Sequence, residues 1–277
     1  MHEFLVDNLR KYYNESEISE IMSGFSCKRK TTFRINNIKS NRDEIEHSLD
    51  EIGLRYTHPI EYADCYILDN ETDIYDKNHI SIRNLDIYKQ GKIYIQNISS
   101  MLPVLALDPK EGENILDMCS APGGKATMIQ SVTGNKANVT ACELNKIRYD
   151  KLKYNIEMQG ANVYLLNKDA RLLDDNLKYD KILLDAPCSG SGTLDISNAN
   201  YEKYFTNKLI SKSIENQRKL ISKALRLLKK GGTLVYSTCS ILNCENEEVV
   251  DKLKPYEMTK IMPNDIYEGF FICKKVF

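Results

Sequence analysis

Three observations predict an α/β fold: a mostly parallel sheet with helices on both faces, preceded by a small α+β unit. From Asn114 onward, short and nearly all-apolar segments alternate with amphipathic ones, the pattern of strands buried on both faces and joined by helices. A glycine-rich turn, "LDMCSAPGGKAT", follows the first apolar segment. Acidic residues then close three successive apolar runs, at Glu143, Asp169 and Asp185.

In chain order, the first ninety or so residues read as a helix, a strand at "TTFRIN" and a helix at "SNRDEIEHSLDEIGL", with Ser40 or Asn41 as its N-cap. The stretch "ILDNETDIYDKNHISIRN" reads as loop and short strand. A turn at Gly91 and a helix starting near Ser99 or Ser100 lead into the larger unit, which places the division at residues 1–91 and 92–277. Beyond it come "NILDM", a helix, "NVTACE", a helix, "NVYLLNKD" and "YDKILLDAP". The long helix "NKLISKSIENQRKLISKALRLLKK", the strand "GTLVYSTCS", the acidic helix "NCENEEVVDKL" and the apolar strand "GFFICKKVF" complete the chain.

Bulk properties narrow the functional class. A chain of 277 residues with 42% hydrophobic content has room for a sizeable core. No run of 18 apolar residues appears and the N-terminus is too polar for a signal peptide, which places the protein in the cytoplasm, off the membrane. Eight scattered cysteines without a CxxC pair read as reduced thiols rather than disulfides or a zinc site. A net charge of -1 argues against nucleic-acid binding by bulk electrostatics. Basic residues nevertheless cluster in "CKRKTTFR" and along residues 207–232, where the plain reading is a solvated helix face.

Ligands of such sheets bind at the carboxyl ends of the strands. Gly123 and Gly124 allow close backbone approach, and the helix that follows presents free N–H groups, beside Lys125, to an anionic group such as a carboxylate. The spacing matches neither the dinucleotide nor the nucleoside-triphosphate loop. Glu143 stands where a carboxylate accepts from both ribose hydroxyls, and Asp169 where one meets an adenine amino group. A single strand-end acid is more often a helix N-cap than a ligand; three in register, with Asp185, point to a ligand. A ribose without a pyrophosphate loop suggests S-adenosylmethionine.

Taken together, "DMCSAPGGK", "ACELNKIRYDKLKYNIEMQG", "NKDAR", "LLDAPCSGSGT" and "YSTCSILNCENEE" closely resemble the Sun family of RNA cytosine carbon-5 methyltransferases, which includes RsmB-type and Nop-type enzymes. The likeness extends from "TTFRIN" to "EGFFICKK", roughly residues 30 to 275. It implies a class I methyltransferase-like sheet of seven strands behind a small RNA-facing domain. It also implies S-adenosylmethionine held by Cys119, Ser120, Ala121, Pro122, Gly123, Gly124 and Lys125 with Glu143, Asp169 and Asp185, Arg148 supporting Glu143. Cys188 and Cys239 would work on the base, with Asp185 holding its ring nitrogen and amino group.

Carbon 5 of cytosine is a poor nucleophile, so a thiolate must first add at carbon 6. DNA cytosine methyltransferases use the "PC" thiol, here Cys188; the Sun family uses the "TC" thiol, here Cys239. The "STCS" and "ENEE" context favours Cys239 as nucleophile, leaving Cys188 to assist product release. The absence of a "[DN]PP[YFW]" strand end disfavours exocyclic-amine methylation. One departure stands out: where the family carries a basic, proline-containing segment, this chain reads "LDISNANYEKYFTNK", which unsettles the substrate contacts. Expected partners are rRNA or tRNA, with the ribosomal subunit as one presentation of the target, and a monomer is the default. The rival from another class is a catalytically idle RNA-binding or assembly factor, against which the two thiols argue.

Overall fold

The computed structural model describes residues 2–59, 62–69, 81–197 and 200–277. The chain opens with α1 (Glu3–Leu9) and α2 (Glu15–Ser26), the latter started by reciprocal capping between Asn14 and Glu17. A small antiparallel sheet follows, made of β1 (Thr32–Ile35), β2 (Tyr56–Thr57), β3 (Cys65–Leu68) and β4 (Ile93–Ile95) in the order β2-β3-β1-β4. Helix α3 (Arg42–Asp50), capped by Asn41, and the short α4 (Asp86–Lys89) belong to this unit. Most of the expected loop and short-strand region at 67–84, residues 70–80, lies outside the described residues.

The small sheet runs past the division expected at residue 91. Gly91, at φ 71°, turns the chain so that Ile93, Tyr94 and Ile95 pair with Ile35, Arg34 and Phe33. In the other direction, α1 and α2 pack their apolar faces on Phe205, Ile210, Ile241 and Leu242 of the larger unit.

The large sheet contains β5 (Asn114–Asp117), β6 (Asn138–Cys142), β7 (Val163–Leu166), β8 (Tyr179–Asp185), β9 (Leu228–Thr238), β10 (Glu257–Ile261) and β11 (Phe270–Val276). Their order is β10-β11-β9-β8-β5-β6-β7; β5 to β9 are parallel and β11 runs antiparallel to both of its neighbours. Alternate residues of the central strands serve two layers. Leu116, Ile182, Leu184 and Tyr236 pack on α9 (Asn207–Leu227) through Leu220, Ala224 and Leu227. Ile115, Leu183 and Val235 pack on α5 (Ile98–Leu107) and α6 (Gly124–Val132) through Met101, Val104, Met128 and Ile129. Helix α5 begins at Ile98 rather than Ser99, because the Asn97 side chain accepts from the Ser99 N–H as its cap. Helix α7 (Lys146–Gln159) joins β6 to β7, α8 (Tyr201–Tyr204) precedes α9, and α10 (Glu247–Val250) follows β9.

One member of the basic cluster at 27–34 is not on the surface. Arg34 is 0% exposed. It donates to the Gln96 side chain at 3.1 Å, the Gly124 carbonyl at 3.0 Å and the Thr127 hydroxyl at 2.9 Å, with its guanidinium over the Tyr94 ring. Burial lowers its pKa to about 10. This buried cation fastens the small sheet to the first turn of α6, so the docking of the two sheets also fixes the glycine-rich turn.

Candidate active site

The strand order reverses direction around β5, which lies between β6 and β8, and the loops leaving β5 and β8 therefore part at the carboxyl edge. A cleft of ≈ 550 Å³ opens there, lined by Cys119, Glu143, Leu144, Arg148, Asp169, Arg171, Pro187, Asn216 and Leu220 among others. Glu143 is 5% exposed; one of its oxygens accepts the Asn145 N–H at 2.8 Å and the other lies 3.6 Å from Arg148. Arg148 also donates to the Ala121 carbonyl at 2.9 Å, so it ties the acid to the glycine-rich turn. Asp169 caps the single turn after β7 and is gripped by Arg171, whose hydrogen bonds hold the carboxyl below the usual aspartate range. It is thus both an N-cap and a lining residue of the cleft.

Within the turn, Cys119 lines the cleft, whereas Ser120 is buried and donates to Asp117 at 2.8 Å, and Ala121 is buried too. Pro122 faces the opposite side, toward Tyr94 and Asn155. Gly123 adopts φ 108°, and a Cβ there would come to 3.0 Å from Leu152. Side chains other than glycine rarely adopt that backbone conformation.

Asp117, which sequence reasoning passed over, closes β5 inside the protein at 1% exposure, with one oxygen unpartnered. Burial pushes its carboxyl up to about 7 against the opposing pull of Ser120 and Lys125. In the unfolded chain the group ionises near the usual aspartate value, whereas the fold retains the proton. Stability therefore falls as pH rises from about 4 to about 7 and is level above that, a penalty of at most about 4 kcal/mol. An Asp117→Asn variant should gain stability over the parent progressively across that window in chemical denaturation. A gain that does not change with pH would mean that another group titrates.

The two thiols meet. Cys188, in the loop after β8, and Cys239, just past β9, bring their sulfurs to 3.3 Å. The adjoining Cys239 sulfur and burial hold the Cys188 thiol well above the ordinary thiol value. Asp185 stands at the end of β8, its two oxygens accepting from Ser237 at 2.7 Å and from Lys125 at 2.7 Å; Lys125 also donates to Ser100 at 2.8 Å. The glycine-rich turn and the thiol loops are therefore joined through one ion pair.

Glu245 holds the thiol loops to each other. It is 0% exposed and accepts from the Ser189 N–H at 2.8 Å, the Ser189 hydroxyl at 2.5 Å and the Ser240 hydroxyl at 2.6 Å. Asn246, also buried, bonds Thr238 and the Ser240 carbonyl. Turning both residues inward breaks the acidic helix expected over 243–253 into short turns, with α10 as its longest piece. Gly192 and Gly269 close the site from the far side: their backbones bond at 2.8 Å, and a Cβ on Gly192 would lie 2.1 Å from the Gly269 carbonyl.

Of the atypical segment after Thr193, Asn198 and Ala199 lie outside the described residues; Phe205 packs edge-on against Phe4 of α1. Among the described residues, no helix is long and apolar enough to cross a membrane.

Comparison with known proteins shows the family. Residues 104–273 match the family model described as 16S rRNA methyltransferase RsmB/F. A probable ribosomal RNA small subunit methyltransferase B of Bacillus subtilis is 31% identical over 88% of this chain and 59% of its own length. A tRNA (cytosine(72)-C(5))-methyltransferase of Pyrococcus horikoshii is 41% identical over 60% of this chain and 42% of its own. The chain thus spans about two-fifths to three-fifths of these relatives. A crystal structure of a methyltransferase homolog protein from Pyrococcus horikoshii superposes with a TM-score of 0.76 at 27% identity, covering 99% of both chains.

Proposed function

The chain belongs to the RsmB/F family of 16S rRNA methyltransferases, and from that premise we propose that it transfers a methyl group from S-adenosylmethionine to carbon 5 of cytosine in rRNA or tRNA. The observation that carries this reading is the pair of sulfurs 3.3 Å apart, one of them in the loop after β8, whose Pro187 lines the cleft and whose strand ends in the Lys125–Asp185 ion pair. Exocyclic-amine methylation has no use for two thiols facing one base.

The cleft fits the cofactor. Its volume lies in the range of small-molecule sites, it is apolar at Leu144, Pro187 and Leu220, and its lining includes buried Glu143 and half-buried Asp169. Glu143 would hold the ribose hydroxyls, Asp169 the adenine amino group, and the N-terminus of α6 with Lys125 the carboxylate. When bound, S-adenosylmethionine supplies an electrophilic methyl group.

The chain's own residues prepare the base. Cys188, held in its protonated form by the adjoining sulfur and by burial, can donate to the Cys239 sulfur, which attacks as the thiolate. That thiolate adds to carbon 6 of the cytosine, and the ring becomes an enamine nucleophilic at carbon 5. Asp185, oriented by Ser237 and Lys125, would accept from the cytosine amino group; uracil offers a carbonyl at that position and loses the hydrogen bond. After transfer, solvent water would take the carbon-5 proton, the electron pair of that bond would re-form the 5,6 double bond, and the Cys239–carbon bond would break with the sulfur leaving as thiolate; Cys188, 3.3 Å from that sulfur, would protonate it. The target base must be unstacked to enter.

The test is to incubate the protein with methyl-labelled S-adenosylmethionine and cellular RNA and to digest the RNA to nucleosides. 5-Methylcytidine is the expected labelled product. Label confined to the ribose, to an exocyclic amine or to adenosine would overturn the reading.

A further inference from the structure

We infer that the outer end of α9 is a phosphate-binding ridge for the RNA strand flanking the target cytosine, with Lys208 and Lys212 as its cations. The inference rests on RNA being the substrate, as proposed above. Gln217 of α9 donates to the Pro187 carbonyl, just beyond the end of β8, and so marks the level of the sheet's edge. At 1.5 Å per residue, the helix from there back to Asn207 stands roughly 15 Å clear of the strands, as a wall above the cleft.

The orientation of that wall follows from its lower residues. Asn216 and Leu220 both line the cleft, and Asn216 accepts from Arg171 within it. Residues four apart lie one above the other on a helix, so the row through Leu220 and Asn216 continues upward through Lys212 and Lys208. These lysines stand about 6 and 12 Å beyond Asn216 along the axis, and helical side chains lean toward the N-terminus, here outward from the sheet. The opposite side of the same turns is anchored: Ile210 and Ile214 pack with Leu5, Ile18 and Phe25 of α1 and α2. The ridge is therefore rigid while its lysines are exposed.

Pairing distinguishes these two from the other lysines of α9. Further along, Lys219 pairs with Glu215, Lys223 and Arg226 with Asp175, and Lys229 with Asp180. Lys208 and Lys212 form no ion pair or hydrogen bond among the described residues. Between Cys188 and Glu202 the chain carries no lysine or arginine, so the loop bearing the first thiol cannot itself neutralise a phosphate. In a protein of net charge -1, affinity for RNA has to come from such local cations. Two of them one helical turn apart, on flexible stems, suit consecutive phosphates of a strand laid across the cleft.

The test is equilibrium binding of a short single-stranded RNA oligonucleotide across a salt series, for the parent, Lys208→Ala/Lys212→Ala, Lys208→Glu/Lys212→Glu and the control Lys230→Glu at the opposite end of the sheet. Removal of two phosphate contacts should weaken binding about tenfold and flatten the slope of log affinity against log salt by about 1.4, with a larger loss for the double glutamate. The control should match the parent, and S-adenosylmethionine affinity should stay unchanged in all. In turnover, the RNA KM should rise while kcat at saturating RNA holds. Parent-like RNA affinity and salt slope in the double variants, or a parent that does not bind the oligonucleotide, would overturn the ridge. Failure to form 5-methylcytidine would instead overturn the reaction, and the binding series reads independently of it.

Discussion

Cys239→Ala should abolish methyl transfer, with a loss of at least about 10³-fold, because without carbon-6 addition carbon 5 has no nucleophilic character to offer. Cys188→Ala should behave differently. It leaves the attacking thiol in place and removes the group placed to assist release, so protein joined to RNA should accumulate and be visible as a slow band on denaturing gels. The double variant should form neither product nor adduct. Cys188 is held in its protonated form by its neighbour and by burial, which suits a group that assists release. If Cys188→Ala abolished both product and adduct while Cys239→Ala trapped RNA, the two roles would be exchanged.

The second large effect is expected at Glu245, which does not face the cleft. Glu245→Ala strands three buried donors, the Ser189 N–H and the hydroxyls of Ser189 and Ser240. Each stranded donor costs about 1–3 kcal/mol, and the sum is not additive, so on the order of 3–5 kcal/mol of stability should be lost in urea unfolding. The loops carrying Cys188 and Cys239 should separate, lowering kcat while cofactor affinity holds, because Glu143, Asp169 and Arg148 belong to other elements. Glu245→Gln is the milder probe. Its carbonyl can still accept the Ser189 N–H, and the two serine hydroxyls can rotate to accept from its amide. A Glu245→Ala protein with parent stability and kcat would remove Glu245 from the account.

The legibility of this protein from its sequence divides along physical lines. The central strands were readable because β5, β6, β8 and β9 are apolar and bounded by turns, and the strand-end acids and both thiols fell in place with them. Strand β10 carried no such signal: Glu257, Met258 and Thr259 are exposed, as an edge strand permits. Arg34 was hidden in a basic run, and only the docked sheets reveal that its partners are a carbonyl, an amide and a hydroxyl. Glu245 was hidden in the same way among neighbouring acids; nothing in "ENEE" says which carboxylate turns inward. Lys208 and Lys212 were indistinguishable from the other lysines of α9 until the structure supplied acids to their neighbours and none to them. Periodicity finds faces, but the partner of a charge is a tertiary fact.

The central claim, carbon-5 methylation through a Cys239 adduct, is tested most directly with RNA in which cytosine carries fluorine at carbon 5. Fluorine cannot leave as the proton does, so the reaction should stop with methyl group, RNA and protein joined. Mass analysis of the digested complex should find a methylated fluorocytosine on the peptide bearing Cys239. Methylation of unmodified RNA elsewhere than carbon 5, with no adduct on the fluorinated substrate, would contradict the account.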